Sequence, residues 1–361
     1  MRIALDAMGG DLGPEVVVEG AVLAARERGV HVTLVGDREL LIAELERHDV
    51  RGLPLTIHHA SEVVTMDDSP SVALRRKKDS SMRVSLDLVK AGEANAAVSA
   101  GNSGAFMAKA MLVLRPLEGV ERPAIATLMP SLKGSTVVLD VGANVDCSPK
   151  HLVQFAVMGE VFAHDALGIA SPRVGLLSNG TETSKGTELT RKAHELISRL
   201  SLNYAGYVEG RDVFTGDVDV VVTDGFTGNV MLKASEGIAR VIGKILKSEM
   251  RATWVSKLGY VLGHRAFKKL RSRIDYREVG GAPLLGLNGI AVICHGSSDA
   301  LAIKSAVAAA SRYSENRIDL HMLQKLAAYE DQEIWASSKE RHFWKSIKDK
   351  IISPKREGEE S

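Results

Sequence analysis

Short apolar runs rich in Val, Ile and Leu alternate along this chain with segments of helical periodicity. Most of the runs end at or beside Gly, Asp or Asn, residues that favour turns and helix N-caps. Such alternation is typical of a mostly parallel β-sheet with helices on both faces. We therefore predict an α/β fold, a three-layer doubly wound sheet. The predicted strands lie within residues 2–7, 30–37, 53–60, 95–101, 125–130, 135–144, 173–180 and 217–225.

The helical segments carry the apolar stripe that such a sheet requires. In the first segment the stripe includes Val17, Ala21 and Ala24, and a later segment has Leu189, Ala193 and Leu196 at the same spacing. No internal repeat or low-complexity tract interrupts this order, so residues 1–335 are predicted to form a single α/β domain. The remainder, 336–361, ends in SPKREGEES and is predicted to be a partly disordered tail.

Five loops that follow predicted strands are rich in Gly, Asn, Ser and Asp. Ligands of open α/β sheets bind at the carboxyl ends of the strands, so we expect these loops to share one rim and to form the functional site. Turn and capping requirements explain any single loop equally well. The loops are DAMGGD (6–11), SAGNSG (99–104), DVGANVD (140–146), SNGTETSKG (178–186) and TDGFTGN (223–229).

Composition limits the compartment and the partners. The 361 residues carry a net charge of +1, which excludes a uniformly basic nucleic-acid binder. Two distant cysteines, Cys147 and Cys294, do not form a disulfide framework. The N-terminus lacks the apolar core of a secretion signal, and no run of 18 apolar residues occurs, so a cytoplasmic protein is expected. Attachment to a membrane surface stays open.

Several chemistries lack their motif in this sequence. Neither GxGxxG nor GxxxxGK[ST] is present, which argues against a dinucleotide or a P-loop nucleotide. The histidines form no ligand pair and no GxSxG elbow occurs, so no metal, no cofactor and no serine nucleophile is predicted. Cys294, in the apolar run IAVICHG, is interpreted as a buried structural thiol.

The remaining polar groups suit a small anion. In SAGNSG a strand runs into Asn102, Ser103 and Gly104 and a helix follows, so backbone N–H groups point at a phosphate-sized ligand. Lys185 could hold a phosphate oxygen and the Asn229 amide could polarise a carbonyl, although a solvated lysine and an N-cap are the simpler interpretations. His295 could belong to the site or to a cap. Asp6 and Asp11 flank the pair Gly9 and Gly10 and could bind a ligand or cap a turn.

Two basic segments stand out. RRKKDSS (75–81) places Arg75, Arg76, Lys77 and Lys78 together, as a solvated helix face or as a docking surface for an acidic partner. Residues 238–274 contain ten Lys and Arg against one acidic residue, and their apolar positions repeat with helical spacing. This basic amphipathic hairpin is interpreted as a dimerisation element, as an interfacial membrane anchor, or as both. Its anchoring residues would be Trp254, Leu258, Val261 and Leu262.

These motifs resemble, in the same order, those of the bacterial phosphate acyltransferases (acyl-acyl-carrier-protein:phosphate acyltransferases). The matching strings are DAMGGD, RRKKDSSM, SAGNSGA, DVGAN, SKG, TDGFTGNV and HGSS, across residues 5–310. The resemblance implies the fold of phosphotransacetylases and isocitrate or isopropylmalate dehydrogenases. It also implies conversion of acyl-acyl carrier protein and inorganic phosphate to acyl phosphate, by a homodimer bound peripherally to the inner face of the plasma membrane. Its product would feed the glycerol-phosphate acyltransferase.

By resemblance, substrate-site roles fall on residues of four motifs. They are Asn102 and Ser103, Asn144, Lys185, and the run Thr227, Gly228 and Asn229. We expect a phosphate oxygen to attack the thioester carbonyl directly, with Lys185 and the helix after SAGNSG orienting phosphate and Asn229 stabilising the oxyanion. The alternatives are a phosphotransacetylase that uses acyl-coenzyme A, a non-catalytic membrane scaffold and, least favoured, a dehydrogenase.

Overall fold

A computed structural model describes residues 1–267 and 280–329. Within these residues eleven strands form one sheet in the order β3-β2-β1-β4-β11-β10-β5-β6-β9-β7-β8. The strands are β1 (Arg2–Asp6), β2 (His31–Gly36), β3 (Leu55–His59), β4 (Ala96–Ser99), β5 (Ala124–Ser131), β6 (Gly134–Leu139), β7 (Val174–Leu177), β8 (Tyr204–Val208), β9 (Val220–Val222), β10 (Ala282–Leu285) and β11 (Ile290–Ile293).

Helices connect most of the strands. They are α1 (Pro14–Arg28), α2 (Arg38–Leu45), α3 (Pro70–Arg76), α4 (Ser81–Lys90), α5 (Ser103–Val113), α6 (Pro149–Leu167), α7 (Glu188–Ile197), α8 (Gly225–Ala252), α9 (Trp254–Leu262), α10 (Ala300–Glu315) and α11 (Ile318–Ala328). Local signals explain many of their starts. Asp37, Ser148, Thr187, Asp224 and Asp299, for example, each cap the helix that follows with a side-chain oxygen.

The sheet separates two helical layers. On β4, Ala96 and Val98 belong to the apolar cluster that includes α1 and α10, whereas Ala97 belongs to the cluster of α4 and α5. Successive side chains of a strand point to opposite faces, so both faces of β4 are covered. Helix α6 lies deepest, with eleven buried residues that include Phe155 and Phe162. The three-layer α/β arrangement expected from the sequence is therefore present.

The strands run in two directions. Strands β3, β2, β1, β4 and β11 are mutually parallel, and so are β6, β9, β7 and β8. Antiparallel pairings of β11 with β10, β10 with β5 and β5 with β6 lie between the two sets. The second set consequently runs opposite to the first. The five polar loops expected on one rim thus follow strands that end at two different edges of the hydrogen-bonded sheet.

All eight strands predicted from the sequence are present, and the apolar run IAVICHG, which contains Cys294, supplies the ninth, β11. The prediction omitted β8 (Tyr204–Val208) and β10 (Ala282–Leu285). Strand β10 contains Pro283 and follows a Gly-Gly pair, which are both signals against a strand. Strand β8 is interrupted by Gly206, whose φ of 86° no other residue type adopts readily. The prediction for 336–361 lies outside the described residues, and the single domain 1–335 stays a prediction.

Candidate active site

The loop after β1 is built around a buried aspartate. Asp6 is 1% exposed and accepts a hydrogen bond of 2.6 Å from the Ser99 hydroxyl at the end of the neighbouring strand β4. Burial raises the pKa of Asp6, while hydrogen bonds from Ser81, Ser99 and the backbone of the loop act to lower it. The carboxylate thus joins the DAMGGD loop to β4. Direct contact of Asp6 with a substrate stays a prediction.

The glycines of DAMGGD allow close backbone contacts. A Cβ added at Gly9 would lie 2.8 Å from the Gly101 nitrogen, so only glycine fits there. Gly10 has a φ of 103°, and the next amide, of Asp11, donates to the Gly296 carbonyl at 2.8 Å. The exposed His295 lies in the same loop and its Nδ1 accepts from the Ser297 amide at 3.1 Å. The loops after β1, β4 and β11 therefore form one cluster, here called the β1–β4 group.

Helix α5 begins in this group. Asn102 is its N-cap, with its side-chain oxygen 3.0 Å from the Ala105 amide nitrogen. The Asn102 amide also donates to the Met66 carbonyl at 2.9 Å and to the Asp68 carbonyl at 3.1 Å. The exposed Ser103 and the half-buried Gly104 form the first turn. The Asn102 side chain is thus hydrogen-bonded to neighbouring backbone groups. Its role in phosphate binding stays a prediction.

A second cluster, here called the β6–β9 group, is built around Asp140. This residue is fully buried directly after β6. Its carboxylate accepts from the backbone amides of Ile125, Ala143 and Asn144 and from the Asn144 side chain, at 2.6–3.0 Å. Burial raises the pKa of Asp140, against the effect of these hydrogen bonds. The sequence analysis did not select Asp140, although it ends a buried strand just as Asp6 does.

Helix α8 starts against this aspartate. A Cβ added at Gly228 would lie 2.0 Å from the Asp140 carbonyl oxygen, and one at Gly225 would lie 2.6 Å from the Asn144 carbonyl oxygen. Asn144 itself is 9% exposed, and its amide donates to the Pro123 carbonyl at 2.8 Å. Asn144 and Gly228, both predicted site residues, thus bring the DVGAN loop and the start of α8 into contact.

Three predicted site residues of the β6–β9 group face solvent. Thr227, Asn229 and Lys185 are exposed, at the carboxyl ends of the neighbouring strands β9 and β7. Asp224 caps α8 by accepting from the Thr227 amide at 2.8 Å, so the N-cap interpretation of Asn229 is wrong. The Asn229 amide lies beside Gly142 of the DVGAN loop, with its Cγ 3.7 Å from a Cβ added there.

Both thiols are protonated at neutral pH. Burial raises the pKa of Cys147, which lies in the β6–β9 group, to about 12, and the pKa of Cys294 to about 12. A thiol with such a pKa is protonated and a poor nucleophile. Neither thiol is therefore activated as a nucleophile.

The basic segment RRKKDSS is held against α5. Arg75, Arg76 and Lys78 are exposed, whereas Lys77 turns inward, donates to the Val63 carbonyl at 2.7 Å and forms an ion pair with Asp68. Lys109 on α5 is fully buried and donates to the Lys77 carbonyl at 2.8 Å. Burial lowers the pKa of Lys109 to about 8. The sequence analysis missed this lysine, which is the only charged residue of α5.

The hairpin of α8 and α9 projects from the body. Only Gly225 and Gly228 of the 28 residues of α8 are buried, and α9 has no buried residue. An exposed apolar stripe runs along α8 through Phe226, Val230, Ile238, Val241, Ile242 and Ile245, and continues on α9 through Trp254, Val255, Leu258, Val261 and Leu262. The predicted continuation over 268–274 lies outside the described residues. In the part described, no helix is long and apolar enough to span a membrane.

Comparison with known proteins identifies the family. The chain matches the model of the fatty acid synthesis protein family over residues 1–320. A phosphate acyltransferase of Geobacter sulfurreducens is 58% identical over 326 residues, which cover 90% of this chain and 94% of that protein. One of Pelobacter propionicus is 58% identical over 327 residues, with 91% and 94% covered. The chain belongs to the phosphate acyltransferase family.

Solved structures agree on the fold of this enzyme. A phosphotransacetylase from Streptococcus pyogenes superposes with a TM-score of 0.58 at 19% identity, covering 86% of this chain and 94% of that one. The EutD phosphotransacetylase from Staphylococcus aureus gives 0.56 at 17% identity, covering 87% and 94%. Two predictions from the sequence motifs are thus confirmed. The chain has the phosphotransacetylase fold, and it is an acyltransferase of fatty-acid and phospholipid metabolism.

The contact between α8 and Asp140 predicts a sharp difference between two glycines of one helix. Gly228→Ala should destabilise the enzyme by about 2–4 kcal/mol, because the new methyl would overlap the Asp140 carbonyl. Gly237→Ala, with nothing within 4 Å of its added Cβ, should be neutral or stabilise by up to about 1 kcal/mol. Urea unfolding of both variants measures the difference, and equal stabilities would contradict this packing.

The lowered pKa of Lys109 predicts that the enzyme becomes more stable as the pH rises above neutral. Because its pKa falls from 10.5 to about 8 on folding, the unfolded chain holds the proton between these values and the native enzyme does not. The free energy of unfolding should therefore rise with pH across this window, by up to about 3 kcal/mol relative to Lys109→Met. Denaturant unfolding of both proteins at a series of pH values is the measurement. Parallel pH profiles would mean that folding does not lower the pKa of Lys109.

Proposed function

We propose that the enzyme transfers the acyl group of acyl-acyl carrier protein to inorganic phosphate, with acyl phosphate and free carrier protein as products. The observation that carries this proposal is the exposed pair Lys185 and Asn229, at the carboxyl ends of adjacent strands β7 and β9. A cation and an amide that follow neighbouring strands suit a reaction in which an anion attacks a carbonyl. Family membership is consistent with this chemistry.

In the proposed step a phosphate oxygen forms a bond to the thioester carbonyl carbon. The carbon–sulfur bond then breaks, and the thiolate of the carrier protein leaves and takes a proton from water. Phosphate is largely dianionic at neutral pH, so the enzyme needs no strong base. Positioning and charge stabilisation therefore supply most of the rate enhancement.

Phosphate binding is assigned to Lys185 and to the N-terminus of α5. These belong to different groups, which follow strands of opposite direction. Adjacent strands rotate by about 20–25°, so the five steps from β4 to β9 amount to about 100° or more of rotation. We propose that this twist brings the carboxyl ends of the two strand sets toward one another, with the β1–β4 and β6–β9 groups as the two walls of one cleft.

Asn229 is assigned to the oxyanion. It is exposed on the second turn of α8, and Gly142, Gly225 and Gly228 hold that turn close to the DVGAN loop. A side chain on a fixed helix start can donate to a developing negative charge with little reorganisation. Asn144 and Thr227 shape the loops around it, and Asp6, Gly9, Gly10 and His295 support the opposite wall.

Carrier-protein docking is assigned to the basic surface of Arg75, Arg76 and Lys78. Acyl carrier proteins are acidic, and an exposed cluster of cations attracts such a partner and speeds encounter. Lys77 contributes through its ion pair with Asp68, not through a free charge.

The hairpin is assigned to two contacts. A second copy of the chain covers the α8 stripe, since six large apolar side chains in a row are costly to leave in water. The α9 residues Trp254, Leu258, Val261 and Leu262 enter a membrane surface, while Lys244, Lys247, Arg251 and Lys257 meet anionic lipid. The enzyme is thereby a homodimer at the inner face of the plasma membrane, where acyl phosphate can pass to the glycerol-phosphate acyltransferase.

Thiol release tests the reaction. Palmitoyl-acyl carrier protein should release free thiol only when phosphate is present, and palmitoyl-coenzyme A should be a much poorer donor. Equal use of coenzyme A would favour the phosphotransacetylase alternative. Absence of release from either donor, in folded protein that binds vesicles, would favour the non-catalytic scaffold.

In the same assay Lys185→Ala and Asn229→Ala should each lower phosphate-dependent turnover by about 100-fold or more, because each removes a group that acts on developing charge. Lys192→Ala is the matched control, an exposed lysine of α7 that pairs with Glu188. It should keep turnover within about twofold. Near-normal turnover in both site variants, with normal folding, would remove them from the mechanism.

The two contacts of the hairpin predict separable effects. Ile242→Glu on α8 should produce monomers in analytical ultracentrifugation, because it places a charge in an apolar contact. Leu258→Glu with Val261→Glu on α9 should abolish sedimentation with phosphatidylglycerol vesicles and leave the dimer intact. Each variant is the control for the other. Dimers in the first variant, or undiminished vesicle binding in the second, would refute the corresponding assignment.

A further inference from the structure

A buried lysine lies behind the basic docking surface. Lys109 on α5 has no exposed area, and its ammonium group donates to the Lys77 carbonyl at 2.8 Å. The groups that act on its charge are Arg83, Glu62, Asp87 and Lys77. Burial of an ammonium is expensive and needs a compensating contact. The Lys77 carbonyl supplies a charge-assisted hydrogen bond, and the Ser80 hydroxyl donates to the same oxygen at 3.0 Å.

Helix α5 holds the segment 62–80 at two separate points. Its N-cap, Asn102, donates to the carbonyls of Met66 and Asp68. Two turns later Lys109 binds the carbonyl of Lys77, whose own side chain returns to Val63 and Asp68. One end of the segment is therefore fixed to the start of the candidate site, and the other to Lys109.

The second point decides where the docking charges lie. The Lys77 peptide unit stands between Arg76 and Lys78, both of which are exposed. Helix α3 ends at Arg76, so no helical hydrogen bond continues through this stretch. Without the bond from Lys109 the carbonyl of Lys77 would keep only the Ser80 hydroxyl as a donor, and the two exposed cations beside it would be held less firmly. Ordering them in advance removes an entropy cost from docking.

We propose that Lys109 is a positioning residue for the carrier protein. It touches neither substrate nor phosphate, and it sets the orientation of Arg76 and Lys78 through the Lys77 carbonyl. The inference rests on the proposed function, since it takes the carrier protein as the docking partner. It adds that affinity for the carrier protein depends on a buried residue of α5, the helix whose first turn belongs to the candidate site.

The test is Lys109→Met, which keeps the length and apolar stem of the side chain and removes the ammonium. The dissociation constant of acyl carrier protein in calorimetry, and the KM for palmitoyl-acyl carrier protein, should both rise about tenfold. The kcat and the KM for phosphate should stay within about twofold, because Asn102 still holds the start of α5. A purely structural role would lower kcat and leave the dissociation constant unchanged.

Controls separate this effect from general damage. Lys304→Met is the matched variant, since Lys304 pairs with Glu27 on the distant α1–α10 face and should leave carrier binding unchanged. Lys109→Gln, which can still donate to the Lys77 carbonyl, should recover part of the affinity. Combined with Arg76→Ala, Lys109→Met should be less than additive, because both act through one contact.

The outcomes are distinct from those of the reaction assay. If wild-type enzyme releases thiol with phosphate and Lys109→Met binds the carrier protein normally, the positioning role is wrong and the proposed reaction stands. If both Met and Gln variants fold and are fully additive with Arg76→Ala, the role is likewise excluded. If wild-type enzyme shows neither release nor carrier binding, the proposed function itself fails.

Discussion

A carboxylate buried at the end of a strand must find hydrogen-bond donors, and in this fold the donors are the loops of the candidate site. Asp6 gathers the DAMGGD loop and Ser99, and Asp140 gathers the DVGAN loop and Asn144. Each loop is folded tightly enough that the neighbouring backbone can approach only glycine, at Gly9 and at Gly228. The exposed groups proposed to act on substrate are thus carried by loops whose own polar groups are already satisfied.

This separation between buried carboxylates that order the loops and exposed groups that face solvent suits a reaction without a covalent intermediate. The cysteines carry raised pKa values, and the exposed residues predicted to act in the β6–β9 group, Lys185, Asn229 and Thr227, supply a cation, an amide and a hydroxyl. In the proposed mechanism these groups orient the substrates and stabilise charge. Acyl transfer to phosphate needs little else, because phosphate is the nucleophile and a thiolate is a good leaving group.

Helix α5 and helix α8 extend the site in two directions. Helix α5 starts at the SAGNSG loop and reaches the basic segment through Lys109 and Asn102. Helix α8 starts at Asp140 and extends over 28 residues, about 42 Å, toward the apolar tip of α9. In the proposed function a donor protein docks beside α5, which follows β4, and a membrane contacts the far end of the hairpin that begins with α8, which follows β9. The arrangement is consistent with the delivery of an apolar product from a carrier protein to a lipid surface.

Local pattern determined the predicted strands, the glycine-rich loops and the basic amphipathic hairpin, since alternation, turn residues and helical spacing depend only on neighbours along the chain. Ordered motifs were specific enough for the family.

Tertiary structure alone decided the reversal of strand direction at β10 and β5, which rests on pairing between residues about 160 positions apart. It also decided which polar residues are buried. Lys77 points inward and Lys109 is fully buried because their partners lie on other elements. Asp140 accepts several hydrogen bonds because loops distant in sequence meet around it. Burial depends on what the rest of the chain places around a residue, and a sequence read locally does not contain it.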